Sequence, residues 1–129
     1  MTETPNVTET PNALEQALLD AKAGRASIEA YLKTLMEATV YVPTTQEVGP
    51  EAPAVHPLVF EHHGTALVAG FTSLDYVSRF QAQAKYCISM TGREFLAFVP
   101  DGHGVVINPG DENRSEIAPA SIAGILRQF

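Results

Sequence analysis

The chain is short of several things. Its 129 residues include one cysteine and no tryptophan, and only 8 lysines and arginines stand against 15 aspartates and glutamates. A single cysteine rules out an internal disulfide framework and suits a reducing compartment. The shortage of bases gives a net charge of -7, which argues against nucleic acid or an anionic membrane as a general partner. Aromatic and basic residues do not interleave along any strand-like run, so a stacking platform for single-stranded nucleic acid is missing too. No run approaches the ~18 apolar residues that a membrane-spanning helix needs. The opening Met-Thr-Glu-Thr-Pro-Asn has neither the basic nor the apolar stretch of a secretory leader. The expected location is the cytoplasm.

What is present fits one foldable domain. Apolar residues make up 45% of the chain, enough for a packed core at a length typical of a single domain. The pentapeptide Thr-Glu-Thr-Pro-Asn occurs twice, at 2–6 and 8–12. That period is far below the ~20–50 residues of a solenoid. Residues 1–12 therefore read as a disordered tail with a neutral duplication, a short linear binding motif being the competing reading. Residues 13–129 form the domain, interrupted by a proline-rich loop at 44–57 that carries Pro50, Pro53 and Pro57. Glu3, Glu9, Glu47 and Glu51 lie in the tail and loop with no base among them, so the rest of the chain holds 11 acids and 8 bases. The domain proper is thus nearly charge-balanced.

Local signals set out the elements. Asn12 with Glu15 three residues on reads as a capping box for a first helix bearing Leu14, Leu18 and Ala21, and Gly24 ends it. Ser27 opens a second helix, with Ile28, Leu32, Leu35 and Met36 on one apolar stripe and Glu29 and Lys33 on the exposed side. Thr39–Val42 is strand-like, and Pro43 is expected to end it. Residues 58–61 and 66–69 read as a hairpin turned by His62-His63-Gly64-Thr65. Thr72 is expected to cap a short helix containing Leu74, Val77 and Phe80. A strand follows at 86–90. Thr91 and Glu94 form another capping box before Phe95, Leu96 and Val99. Val105–Ile107 is a buried strand, Asn108–Asp111 a turn, and Pro119 the start of a last helix with Ile122, Ile125, Leu126 and Phe129. The order α-α-β-β-β-α-β-α-β-α is that of an α+β domain: an αα-hairpin and further helices on a small mixed or antiparallel sheet.

No catalytic, metal or cofactor set assembles from these residues. His62 and His63 are neighbours, and adjacent strand residues point to opposite faces. With His56 and His103 in loops, the four histidines lack metal-ligand spacing and read as solvated. Cys87, mid-strand, is expected to be a buried, inert thiol. Neither a Gly-x-Ser-x-Gly elbow nor a phosphate-binding loop occurs. Asp111, Glu112 and Glu116 lack the oxygen spacing of a calcium loop and read as solvated.

Four fragments taken in order say more. Tyr41-Val42-Pro43, Phe71-Thr72-Ser73, Gly92-Arg93-Glu94-Phe95-Leu96 and Ile107-Asn108-Pro109-Gly110 together resemble the SseB-family N-terminal domain over roughly residues 13–129. The resemblance implies a compact bacterial α+β domain of poorly defined molecular function. The family name is tied to enhanced serine sensitivity and to type III secretion, and many members look to carry a second, C-terminal domain. The family supplies no agreed catalytic residues to transfer.

The expected function is a non-catalytic binding or interaction domain with a protein partner, an accessory to secretion or stress. Its site is expected where Phe71, Thr72 and Ser73 face Asn108, Pro109 and Gly110 across a groove at the ends of two strands. The alternative is a small enzyme whose active site joins Cys87 to a distant histidine, which calls for a hydrogen bond between them. A purely oligomeric structural protein is a third reading, and it calls for a large exposed apolar patch.

Overall fold

In a computed structural model, the structure describes residues 12–45, 57–80, 82, 84–110 and 114–129. The tail through residue 11, most of the proline-rich loop (46–56) and Asp111 and Glu112 lie outside the described residues.

Among the described residues, five helices and six strands follow one another as α1 (Ala13–Lys22), α2 (Ile28–Glu37), β1 (Thr39–Thr44), β2 (Val59–His62), β3 (Thr65–Gly70), α3 (Leu74–Val77), β4 (Tyr86–Thr91), α4 (Gly92–Phe98), β5 (Gly104–Ile107), β6 (Ser115–Ile117) and α5 (Pro119–Gln128). A 3₁₀ turn, Ser78–Phe80, extends α3. The α+β expectation is met. Both capping boxes close as the spacing predicts, at Asn12/Glu15 and at Thr91/Glu94. The hairpin turns through His63 and Gly64, both at positive φ (53° and 81°), which is the mirror-image turn that matches strand twist.

The strands form two sheets. β1 and β4 make an antiparallel pair, and β2-β3-β5-β6 make a mixed sheet in which only β3 and β5 run parallel. Isolated bridges, Tyr41 to Phe71 and Thr44 to Pro57, tie the pair to the open end of the β2–β3 hairpin.

Paired residues share a face and successive residues alternate, so the register sorts the larger sheet. Val68, Val105, Ile107 and Ile117 point to one side and join Leu14, Leu18, Tyr31, Leu35, Phe95, Leu96 and Ile122 from α1, α2, α4 and α5. Phe60, Leu67, Ala69 and Val106 point to the other side. There they meet Phe71, Val77, Ala84 and Phe80 in a smaller cluster. One face carries four helices, and the other carries a short segment around α3.

Several expectations need correction. β6 was not foreseen; it adds an antiparallel edge beside β5. β1 runs through Pro43 to Thr44, because Pro43 needs only its carbonyl on the outer side, where it accepts from the Leu58 amide at 3.0 Å. Ile28 and Leu74, placed on apolar faces by spacing, are each 58% exposed; Tyr31 takes the buried place on α2. Ser73, not Thr72, is the N-cap of α3, and it makes no side-chain cap bond. Cys87 is exposed on β4, a strand at the edge of a two-stranded pair, rather than buried.

Candidate functional site

β3 and β5 are parallel, so their C-terminal ends leave the sheet side by side, and the two expected loops begin there. The structure brings them into direct contact. The Thr72 amide donates to Asn108 Oδ1 at 3.1 Å, and Asn108 Nδ2 donates to Thr72 Oγ1 at 3.1 Å. The Asn108 amide reaches back to the Gly70 carbonyl at 2.9 Å. Asn108 holds a left-handed backbone (φ 56°), which a short amide side chain tolerates better than most.

The start of α1 closes over this pair. Asn12 Nδ2 donates to the Thr72 carbonyl at 2.8 Å, and Thr72 Oγ1 donates to Glu15 Oε2 at 2.5 Å. Glu15 Oε1 accepts from the Asn12 amide at 3.0 Å. Glu15, Thr72 and Asn108 are all buried. Each polar atom of Thr72 therefore has a side-chain partner from a residue distant in sequence, which is how buried polar groups avoid the cost of an unmade bond.

The six expected site residues divide accordingly. Phe71, Thr72, Asn108 and Pro109 are buried, Ser73 is half-buried and Gly110 is exposed. Where the two loops face each other, hydrogen bonds fill the space between them. The open surface lies one step outward, against the sheet face that carries the short α3 segment. Pro109 and Gly110 line a hollow of about 210 Å³ with Phe60, Leu67, Phe80, Val106, His62 and Arg114. Phe80 stands edge-on to Phe60 (ring centroids 5.6 Å apart) and tilted against Phe71 (5.3 Å).

The rim of this hollow is ionic. His62 Nδ1 lies 3.0 and 3.1 Å from the two carboxylate oxygens of Glu116, and Arg114 pairs with the same carboxylate. The His62 and His63 rings sit 4.1 Å apart. Beyond this pair a second hollow of about 340 Å³ shares His62 and Leu67 and adds Thr65, Ile117 and Pro119. Sequence reasoning missed Phe60, Phe80, Arg114 and Glu116 as neighbours. Glu116 alternates with Ser115 and Ile117 on β6, but three residues are too few for a periodic signal.

Among the described residues no group of three or more histidines, cysteines and carboxylates could hold a metal ion. Cys87 Sγ contacts the carbonyl of its neighbour Ile88 at 3.6 Å. Desolvation along the strand pushes its thiol pKa up, against a smaller opposing pull from the Val42 backbone, so the reactive thiolate is disfavoured. His62 ends β2, and His63 and His103 lie in the connections between elements. Among the described residues no helix is long and apolar enough to cross a membrane.

Four helices on one side of a small mixed sheet, a short α3 segment on the other, and a polar clasp where its two parallel strands end define an α+β domain among the described residues. Residues 14–124 match the family described as the SseB protein N-terminal domain. The match spans most of the chain, and the chain belongs to that family. No curated protein and no solved structure matches it.

Proposed function

We propose that this domain is a non-catalytic binding module that takes an apolar anchor of a protein partner into the hollow beside Pro109 and Gly110. The observation that carries the reading is the pairing of an apolar floor (Phe60, Leu67, Phe80, Val106) with an ionic rim (His62, Arg114, Glu116) on the face that carries only the short α3 segment among the described residues. At about 210 Å³, the hollow is smaller than the ~300–1,000 Å³ usual for small-molecule sites, and it is open rather than enclosing. A shallow apolar depression within a polar rim is the anatomy of a protein interface. Family membership is consistent with such an accessory role, in bacterial secretion or stress and in the cytoplasm.

The reading is tested by affinity capture from the native cell with the full chain, read alongside the neighbouring genes. A reproducible protein partner that is lost with Phe60→Ala and kept with Glu29→Ala, on the far helical layer, supports it. A co-purifying metabolite with no protein partner would sink it in favour of an enzyme or a ligand carrier.

A further inference from the structure

Glu15 has a second role that the capping box alone does not require. In a capping box the glutamate needs one oxygen for the N-cap amide. Here Oε1 does that for Asn12, while Oε2 accepts from Thr72 Oγ1 in the loop after β3. Thr72 in turn holds Asn108 by two hydrogen bonds. Asn108 is followed directly by Pro109 and Gly110, which line the hollow. The path from the first turn of α1 to the rim is therefore an unbroken run of buried, partnered polar groups.

We propose that Glu15 is a positioning residue for the binding hollow: acting through Thr72 and Asn108, it couples the N-terminus of α1 to the conformation of the Pro109–Gly110 rim. Asn108 sits at φ 56° and Gly110 at φ 82°, so this stretch departs from relaxed extended backbone and needs outside contacts to fix it. Pro109 transmits the setting because its ring restricts the joint between the two residues. A change at the start of α1, whether by a partner or by loss of the Asn12 cap, then alters the hollow without touching it. The proposal rests on reading that hollow as the binding surface, but it is tested without any ligand.

The experiment is NMR on the full chain, comparing wild type with Glu15→Gln, Thr72→Val and Thr72→Ser. Both carboxylate oxygens of Glu15 accept, and a carboxamide offers one acceptor, so Glu15→Gln takes the charged acceptor away from the Thr72 hydroxyl and leaves at most a neutral, reversed N–H bond to Oγ1, without changing shape. Two readouts report the rim. One is hydrogen exchange of the Asn108 amide, which is bonded to Gly70. The other is the shift of Gly110, which lies against the Phe80 ring and senses its ring current.

Glu15→Gln should speed Asn108 exchange on the order of tenfold, the loss expected for one buried bond to a charged group, and Thr72→Val, which removes both bonds of Oγ1, by more. They should also move the Gly110 resonance and leave the Thr65 amide, at the far end of the hairpin, unchanged. Thr72→Ser, which keeps the hydroxyl, should restore wild-type behaviour. If only the first turn of α1 responds, or if every amide loosens equally, the coupling is wrong. Either result leaves the binding reading to its own capture experiment, and a failed capture leaves the coupling untouched.

Discussion

The two faces of the β2-β3-β5-β6 sheet are built to different standards. On one, Val68, Val105 and Ile107 are wholly or almost wholly buried under Leu35, Phe95 and Leu96, with no polar side chain of the sheet's inner strands among them. On the other, Leu67 and Val106 are buried, but half-buried Phe60 and Phe80 and the exposed His62 and Glu116 surround them. A closely packed apolar layer is what stabilises a domain this small. A thinly covered apolar face with an ionic rim costs stability and is retained where something docks. On the proposed binding reading, the difference teaches that folding and binding fall to opposite sides of one sheet.

The largest expected effect tests the folding side. Phe95→Ala removes a fully buried ring and should lower unfolding free energy by about 3–5 kcal/mol in a urea titration. Phe60→Ala, on the other face, should cost about 1 kcal/mol, since a half-buried ring gains less from burial. Equal costs would break the comparison. The helical layer is also intolerant of added bulk: a Cβ at Gly92 would run into the Leu35 carbonyl oxygen.

Next in size is the clasp between the two faces. Asn108→Gly keeps the left-handed backbone but loses the amide bonds to Thr72, and should cost about 1–3 kcal/mol. Asn108→Ala should cost roughly 1 kcal/mol more, because alanine resists φ 56°. A thermal or urea series that ranks alanine above glycine would show that the backbone there is not the constraint.

How far the sequence reveals this arrangement depends on the range of each interaction. Asn12 with Glu15, Thr91 with Glu94, His63 with Gly64 and Pro119 are local signals, and each forms as its spacing requires. The SseB resemblance was likewise carried by short ordered fragments. Thr72 was misread because its hydroxyl bonds Glu15, 57 residues away, in preference to the helix start beside it. Ile28 and Leu74 follow helical spacing, but no element among the described residues covers them, and each stays 58% exposed. Cys87 reads as buried because strand runs of that composition often are, whereas among the described strands β4 pairs only with β1. Both expected loops were located from sequence. That their contact surfaces would be consumed by a buried network, leaving Pro109 and Gly110 beside Phe60 and Phe80, depended on tertiary register.

A smaller effect sharpens the helical side. Tyr31 Oη and Ser115 Oγ lie 2.8 Å apart, linking α2 to the edge of the covered face. Burial pushes the Tyr31 pKa up, partly offset by the Ser115 hydrogen bond. The folded state thus holds this proton more tightly than the unfolded chain does. Its stabilisation is fully present below the ordinary tyrosine value near pH ~10 and is lost as pH rises through the raised folded value. Tyr31→Phe should cost about 1 kcal/mol at neutral pH and should flatten the alkaline fall in melting temperature. An unchanged alkaline limb in the variant would place that titration elsewhere.

The smallest expected effect on stability falls on the rim of the open face, and it separates the two roles most directly. Glu116 holds both His62 and Arg114, yet all three side chains are substantially solvent-exposed. Exposed ion pairs contribute little because water and salt screen them and ordering the side chains costs entropy. Glu116→Gln should therefore shift the unfolding free energy by less than about 1 kcal/mol, with the difference shrinking further at high salt. The same change frees Arg114 and His62 to meet whatever docks, so partner retention in the capture experiment should change far more than stability does. A variant that loses stability and partner in proportion would mean that the rim supports the fold and that the two faces are not divided in the way proposed. A variant that keeps its stability while its partner retention changes, in either direction, ties the rim to recognition.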